Sequence, residues 1–365
     1  MTFSQKDTAK CKGFAILIML FHHLYADTGR FSDLTIDFSP LSQNTAVQIA
    51  NFMKICVGIY VFLSAYGLTL SYSKWDKGDG KFFLFRYLKM MFPFFAVYIL
   101  LAVCSLFIPS NWTLATAYGL PENAAFGGYC SFVFAMVVDF LGLAHLFGMP
   151  TFNATWWYMS LAIVIIALIP LLCRGVKKLG AFYAAVLSAI VPFALGLPTV
   201  SLTRYFLCMV LGVIAAQKDG LAKSKEYYVN LPRSKKWLIF AAMTGLLALS
   251  VVLRQGRYKG DLVELWDSLV PVLLVVYLYW FVNDLRVAGS VLNFFGKYST
   301  TIFLTHTFIR YYWLRSVSYY FTNAWLNFVT LTVLSTLAAM VIDGALKLLR
   351  YPHFSDRLTR KITGI

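Results

Sequence analysis

Long apolar segments recur along the whole chain, and this recurrence constrains the fold more than any other feature of the sequence. A hydrocarbon core about 30 Å thick is crossed by roughly 20 residues of α-helix. We predict ten crossings, at 13–28, 47–72, 84–108, 155–173, 179–196, 200–217, 237–254, 265–283, 292–314 and 323–347. Only 13% of the 365 residues are charged, against about a quarter in a typical soluble domain. The sequence therefore predicts an all-α, polytopic integral membrane protein in contact with a lipid bilayer.

The basic residues are concentrated in short stretches between these segments, at 74–81, 174–178, 218–225, 233–236 and 357–361. Cytoplasmic loops of membrane proteins carry such an excess of Lys and Arg. Ten crossings with cytoplasmic N- and C-termini place all five stretches on the cytoplasmic side. A nucleic-acid surface would instead gather its charge on one soluble face. The net charge of +16 therefore indicates membrane topology, and we expect no nucleic-acid partner.

The loops are short, so we predict a single membrane-embedded domain over residues 1–365 with no appended soluble domain. Residues 126–149 are apolar enough for an eleventh crossing, but that crossing would move the later basic stretches outside. We therefore predict an interfacial or partly inserted helix on the outer side for this segment. The six cysteines are scattered without a C-x-x-C pair, so no metal site or disulfide framework is predicted.

The first predicted crossing contains ionisable residues, which cost a few kcal/mol at membrane depth unless they are paired or solvated. His23 lies eleven residues after Lys12, roughly 16 Å along a helix. Asp27 follows at i+4, where its carboxylate could orient one ring nitrogen of His23 and raise its basicity. His22 points about 100° away, and we expect it to be a bystander. The alternative is that both histidines are packing or snorkelling residues at the outer interface.

Arg86 and Lys89 lie three residues apart, on one helix face at the cytoplasmic start of the third crossing. Two neighbouring cations suit a polyphosphate ligand such as a nucleotide or coenzyme A, and Lys12 would open onto the same side. The alternative is that these two charges only set the orientation of the helix in the membrane.

Two further regions contain candidate residues. Trp156 and Trp157 open the fourth crossing from outside, where tryptophan is an ordinary membrane anchor but could also form a wall for a sugar. His306 lies about ten residues into the ninth crossing, and it is intermediate between a core residue and a site residue. For Arg310 and Asp343 we predict a structural ion pair that neutralises two buried charges.

These residues also carry a resemblance to the membrane-bound acyltransferase 3 family, which includes bacterial polysaccharide O-acetyltransferases. Lys12, ten residues and His23 resemble the family's basic-residue–ten–His motif. Residues 61–72 (VFLSAYGLTLSY) are similar to its F-L-S-G-Y/F signature, with Ala65 in place of the usual glycine. The R-x-x-R motif is matched by Arg86 and Lys89, and a tryptophan-containing helix and a G-x-x-S…L-x-H stretch also match, at 153–172 and 296–306. Lys replaces Arg at positions 12 and 89, which keeps the charge and loses bidentate geometry.

The resemblance implies transfer of an acetyl group from cytoplasmic acetyl-CoA to a hydroxyl of an extracytoplasmic glycan, in the cytoplasmic membrane of a bacterium. It implies His23 as general base, with Asp27 beside it, and a covalent acetyl-imidazole as the alternative mechanism. The implied coenzyme-binding residues are Lys12, Arg86 and Lys89. Residues implied to line the acceptor route or to polarise the thioester carbonyl are Tyr66, Trp156, Trp157 and His306.

Two other functional classes are compatible with a polytopic chain that contains buried cations and histidines. One is a transporter or flippase for a lipid-linked sugar or another anion, which would often show paired repeats with broken helices. We find no such pairing in the sequence. The other is a membrane scaffold or sensor in which the histidines only pack.

Overall fold

A computed structural model describes residues 2–120, 126–197, 200–255 and 262–365. The described residues form sixteen α-helices and no β-strand. The helices are α1 (Gln5–Tyr25), α2 (Gln43–Phe52), α3 (Cys56–Tyr72), α4 (Asp79–Cys104), α5 (Leu114–Tyr118), α6 (Phe126–Phe140), α7 (Trp157–Leu179), α8 (Ala181–Ala194), α9 (Ser201–Gln217), α10 (Gly220–Val229), α11 (Arg233–Gln255), α12 (Val263–Tyr277), α13 (Arg286–Thr307), α14 (Arg315–Ser318), α15 (Ala324–Leu348) and α16 (Tyr351–Thr363). Two π-helical turns, Leu278–Val282 and Phe308–Tyr312, extend α12 and α13.

Six helical segments within the described residues are long and apolar enough to cross a membrane, and the bent pair α9–α10 would make a seventh. The six are Gln43–Tyr72, Asp79–Cys104, Ala154–Leu179, Arg233–Arg254, Val263–Val282 and Ala324–Leu348. The prediction of an all-α, polytopic membrane protein is therefore confirmed. Each of the ten predicted crossings falls on a helix, while the number of crossings and the cytoplasmic termini stay predictions.

The ambiguous segment 126–149 contains one helix, α6, which is 15 residues long. At 1.5 Å per residue such a helix extends about 22 Å, which is less than the thickness of the hydrocarbon core. The chain then turns at Gly142 and Gly148, both of which have positive φ angles (74° and 63°). Its predicted interfacial position stays a prediction.

The chain divides into two compact units. The first unit comprises Met1–Trp75 and Leu168–Ser299, and the second comprises Asp76–Ala167 and Thr300–Ile365.

Small residues bring helices of the first unit into close contact. A Cβ atom added at Gly13 of α1 would collide with the carbonyl oxygen of Leu292 in α13, and one added at Gly296 would collide with the carbonyl of Ala9. In lipid the hydrophobic effect does not drive helices together, so van der Waals contacts at such close approaches stabilise their association. The backbones of α1 and α13 therefore pack directly against each other.

The core of the second unit is rich in aromatic residues, and its members include Phe94, Tyr98, Tyr118, Phe152, Trp156 and Phe308. Its polar centre is the buried carboxylate of Asp139. This carboxylate accepts hydrogen bonds from Tyr118 Oη (2.7 Å), Thr151 Oγ1 (2.8 Å) and the Phe152 N–H (2.8 Å). Burial, and then the neighbouring carboxylate, raises the pKa of the Tyr118 phenol. The phenol therefore stays protonated and can donate.

Candidate functional site

The helix α1 places Lys12 and His23 on one continuous scaffold. A capping box starts it: Ser4 Oγ accepts from the Asp7 N–H (3.2 Å), and the Asp7 carboxylate accepts from the Ser4 N–H (3.0 Å). The helix then runs unbroken to Tyr25. Eleven residues at 100° each bring His23 back to within about 20° of Lys12, roughly 16 Å along the axis. The two side chains therefore lie on the same face of the helix.

The two adjacent histidines have different surroundings. His22 Nδ1 lies 2.7 Å from the carbonyl oxygen of Ala50. Because a carbonyl oxygen only accepts, Nδ1 carries the proton, and His22 ties α1 to α2. The His23 ring is half-buried, with its centre 5.1 Å from that of His22. Arg30 Nη1 donates to the carbonyl oxygens of His22 (3.0 Å) and His23 (2.6 Å) and so caps the end of α1.

Asp27 does not lie on the helix. The sequence predicts that Asp27 lies one helical turn after His23 on the same face, and this placement is wrong because α1 ends at Tyr25. Asp27 has an extended backbone (φ −140°, ψ 122°), and its Oδ1 accepts from the Gly29 N–H (2.9 Å) to cap the short turn Thr28–Arg30. Aspartate favours such local capping over continuing a helix. Its role towards His23 stays a prediction.

Lys12 is half-buried. Within the part of the chain that the structure describes, its ammonium has no ion-pair partner, and desolvation is the only influence acting on it. Lys10 on the same helix is different, because its Nζ donates to the carbonyl of Asn283 (2.5 Å) and lies 3.9 Å from Asp7. A desolvated ammonium without a counter-ion is suited to bind an anion from outside the protein.

Tyr66 of α3 is buried. Its ring contacts that of Phe3 edge to face, with centres 5.5 Å apart, and Phe3 directly precedes α1. Tyr66 therefore lies towards the end of α1 at which Lys12 is found.

In the second unit, Arg86 and Lys89 both lie on α4. The guanidinium of Arg86 lies 5.8 Å and 5.6 Å from the ring centres of Phe82 and Phe85, and its buried Nε has no hydrogen-bond partner among the described residues. Lys89 forms an ion pair with Asp356 of α16. Lys89 and Asp356 line a cavity of about 300 Å³, together with Asp343, Lys347, Tyr351 and Ser355.

The two predicted tryptophans differ in exposure. Trp156 is 3% exposed, and its Nε1 donates to the carbonyl of Leu304 (3.1 Å), so it is a core residue here. Trp157 is half-buried, with its ring centre 5.9 Å from that of His145. Both tryptophans line a cavity of about 50 Å³ together with His145 and Asp139, but only Trp157 is partly exposed. Of the two tryptophans, Trp157 is the better placed to contact a ligand.

His306 is fully buried in the second unit. Its Nδ1 lies 2.9 Å from the carbonyl of Phe303 and 3.1 Å from that of Ile302, so Nδ1 carries the proton. Its Nε2 lies 3.2 Å from Thr307 Oγ1, which is 3.3 Å from Thr155 Oγ1. His306 therefore belongs to a buried hydrogen-bond network.

The predicted ion pair between Arg310 and Asp343 is wrong. Asp343 Oδ1 accepts from Thr301 Oγ1 (2.6 Å). In the described ranges, Nε and Nη1 of the buried Arg310 have no hydrogen-bond partner. Thr301 precedes Arg310 by nine residues, about 13 Å along a helix. Asp343 therefore lies beside the part of α13 that contains Thr301, and not beside Arg310.

Four of the nine predicted site residues lie in the first unit: Lys12, His23, Asp27 and Tyr66. The other five lie in the second unit: Arg86, Lys89, Trp156, Trp157 and His306. An ionic cluster of the first unit, in which Asp267 pairs with Arg204 and Arg254, is not among the residues predicted from the sequence. All three residues fall inside predicted crossings, so the rule applied to the histidines could have found them.

The described residues contain no group of three His, Cys, Asp or Glu side chains that could hold a metal ion.

Comparison with known families gives one match. A family profile described as an acyltransferase domain matches residues 11–344, which is nearly the whole chain. The chain therefore belongs to the membrane acyltransferase 3 family, and it is a membrane acyltransferase. Searches of curated proteins and of solved structures returned no match.

Proposed function

We propose that the protein transfers an acetyl group from cytoplasmic acetyl-CoA to a hydroxyl of an extracytoplasmic glycan, such as a capsular polysaccharide or exopolysaccharide, in the cytoplasmic membrane of a bacterium. The observation that carries this proposal is the arrangement on α1. Lys12, a desolvated cation without a counter-ion among the described residues, and His23 lie on one face of an unbroken helix, about 16 Å apart. Lys12 at one end of this face would bind the donor's phosphates. His23 at the other end would act as the base for the acceptor's hydroxyl.

In this proposal His23 acts as general base. A neutral ring nitrogen of His23 takes the proton of the acceptor hydroxyl while the hydroxyl oxygen attacks the thioester carbonyl. The C–S bond then breaks, and the imidazolium returns the proton to the leaving thiolate of coenzyme A. In the alternative mechanism, His23 first attacks the acetyl carbon, the C–S bond breaks and coenzyme A leaves as the thiol with the ring proton. The acceptor hydroxyl then attacks the acetyl-imidazole, the bond from His23 to the acetyl carbon breaks, and the hydroxyl proton returns to the imidazole. We assign His22 a structural role, because its Nδ1–H donates to the Ala50 carbonyl and so links α1 to α2.

The donor's phosphates are assigned to Lys12, Arg86 and Lys89. Lys12 and Arg86 have cationic groups without a carboxylate partner among the described residues, which supports this assignment. Lys89 would break its ion pair with Asp356 and form one with a phosphate of the donor. A lysine ammonium binds phosphate as a point charge, without the two parallel hydrogen bonds of arginine.

The acceptor is assigned to aromatic and polar side chains. Trp157 is half-buried beside His145, which supports a contact between its side chain and a sugar. Trp156 and His306 are buried and support the surrounding structure. Tyr66 contacts Phe3 at the start of α1, the end at which Lys12 lies, which supports a contact with the donor and not with the glycan.

The test is a transfer assay with membranes that contain the protein, radiolabelled acetyl-CoA and glycan from the host strain. We expect His23→Ala to lower the rate of label transfer by about 10²- to 10⁴-fold, the usual contribution of a general base. The matched control is His22→Ala, which removes the adjacent imidazole and retains most of the activity per folded molecule. Equal rates for the wild type and His23→Ala would contradict the assignment of the base.

A further inference from the structure

The ionic cluster of Asp267, Arg204 and Arg254 in the first unit lies outside the residues assigned to acyl transfer. Its centre is Asp267 of α12, which is fully buried. Arg254 Nε and Nη2 donate to Asp267 Oδ1 (3.0 and 2.8 Å). Arg204 Nε donates to Oδ2 (2.5 Å), and its Nη2 pairs with the same oxygen. A carboxylate offers about four lone-pair sites, so these two guanidinium groups saturate Asp267.

Lys54 adds a third cation to this cluster. It is half-buried and interacts electrostatically with Arg204, Arg254 and Asp267. In the ranges that the structure describes, its ammonium has no hydrogen bond and no ion pair. Among the residues that the structure describes, the only carboxylate that acts on Lys54 is Asp267, whose lone pairs are occupied, since Glu264 acts on Arg204 and not on Lys54. The positive charge of Lys54 is therefore not compensated by the described residues.

The cluster lies beside the histidine end of α1. Lys54 and Arg254 both interact electrostatically with His22, the chain neighbour of His23. Arg254 Nη1 also donates to the carbonyl oxygen of Asn51 in α2 (3.2 Å). In the predicted topology these ends of the helices face the outside, where the acceptor would be.

We propose that Lys54, supported by Arg204 and Arg254, binds an oxyanion of the acceptor, so that the acceptor is an anionic glycan carrying phosphate or carboxylate groups. This inference rests on the proposed function, because it concerns the acceptor of that reaction. A half-buried cation without a counter-ion is unfavourable, and an oxyanion beside it removes this penalty. Asp267 orients the two guanidinium groups and leaves the flexible ammonium of Lys54 as the group that meets the ligand. With a neutral glycan, the described residues would leave the charge of Lys54 uncompensated.

The test uses purified full-length protein saturated with coenzyme A, so that the probes do not bind at the donor's cations. The probes are glucose 1-phosphate, glucuronate and, as the neutral control, glucose, with dissociation constants measured by calorimetry. We expect both anionic sugars to bind at least about tenfold more tightly than glucose, as one charge-assisted hydrogen bond would give. The stronger of the two identifies the oxyanion as phosphate or carboxylate.

The variants separate the cluster from a general effect of charge. Lys54→Gln is expected to weaken anion binding about tenfold or more, while Lys54→Arg stays within about threefold because the charge is kept. Lys178→Gln is the matched control, since Lys178 is an exposed lysine of the same unit, and its binding should equal that of the wild type.

Two results would overturn the inference: equal affinity of the wild type for glucose and for both anionic sugars, or unchanged anion binding in Lys54→Gln. The first comparison uses only the wild type, so misfolding of a variant does not affect it. Failure of the proposed function looks different, because the wild type would then neither bind acetyl-CoA nor transfer its acetyl group, whatever its preference among sugars.

Discussion

At the scale of single residues, Lys10 and Lys12 show how position decides what a charge can do. Both lie on the first half of α1. Lys10 is held by the Asn283 carbonyl and by Asp7, so its charge is used within the fold. Lys12 has no such partner among the described residues. The same side chain has structural partners at one position and none among the described residues two positions later, where we predict that it binds the donor.

This contrast gives a prediction about donor binding. Lys12→Gln should raise the dissociation constant for acetyl-CoA about 10- to 100-fold, the loss expected for one hydrogen bond to a charged group. Lys12→Arg should bind at least as tightly as the wild type, because it adds the fork geometry that suits phosphate. The measurement is equilibrium binding of acetyl-CoA to purified protein.

The control is Lys6→Gln, which removes an exposed lysine of the same helix. Unchanged affinity in Lys12→Gln, or an equal loss in Lys6→Gln, would show that Lys12 does not meet the phosphates.

At the scale of elements, the contact between α1 and α13 holds the helix that carries Lys12 and His23. Gly13 and Gly296 permit this contact, because a Cβ at either position would collide with backbone of the opposite helix. A helix with larger residues at these positions would have to move outwards. The position of His23 relative to the rest of the first unit therefore depends on the absence of a Cβ atom at Gly13 and Gly296.

We expect Gly13→Ala to lower the free energy of unfolding by about 1–3 kcal/mol, as overpacking of a tight contact does. The control is Gly67→Ala on α3, where an added Cβ meets no atom within 4 Å. That substitution should be neutral or stabilise by up to about 1 kcal/mol through helix propensity. Both can be measured as thermal unfolding in one detergent, and equal midpoints for the two variants would contradict the packing described for α1 and α13.

The elements also show which parts of the structure the sequence predicts. Hydropathy places every predicted crossing on a helix, because burial in lipid is encoded in composition. It does not give the end of α1, which depends on the local bond between Asp27 and the Gly29 N–H. It also fails for Arg310 and Asp343, because pairing across helices depends on their relative stagger. Asp343 meets Thr301 instead.

The candidate site is predicted to a similar extent. Spacing on one helix is enough to relate Lys12 to His23, and it separates His23 from His22, whose Nδ1 binds the Ala50 carbonyl. Spacing does not reveal that Trp156 is buried while Trp157 lies beside His145. These differences come from packing between segments that are distant in sequence.

At the scale of the whole molecule, the family match and the fold agree. The match extends over residues 11–344, so it includes most of both compact units. The predicted site residues are also drawn from both units. The proposed reaction further requires sidedness, because its donor is cytoplasmic and its acceptor is extracytoplasmic.

The most direct measurement of this central claim compares sealed vesicles of opposite orientation prepared from the same cells, with labelled acetyl-CoA added outside. Acetyl-CoA carries several charges and does not cross the bilayer. We predict that label enters the enclosed glycan in inside-out vesicles and stays at background in right-side-out vesicles. We also predict that His23→Ala abolishes the difference by removing the transfer. Equal labelling in both orientations, or full labelling in inside-out vesicles of His23→Ala, would contradict the account.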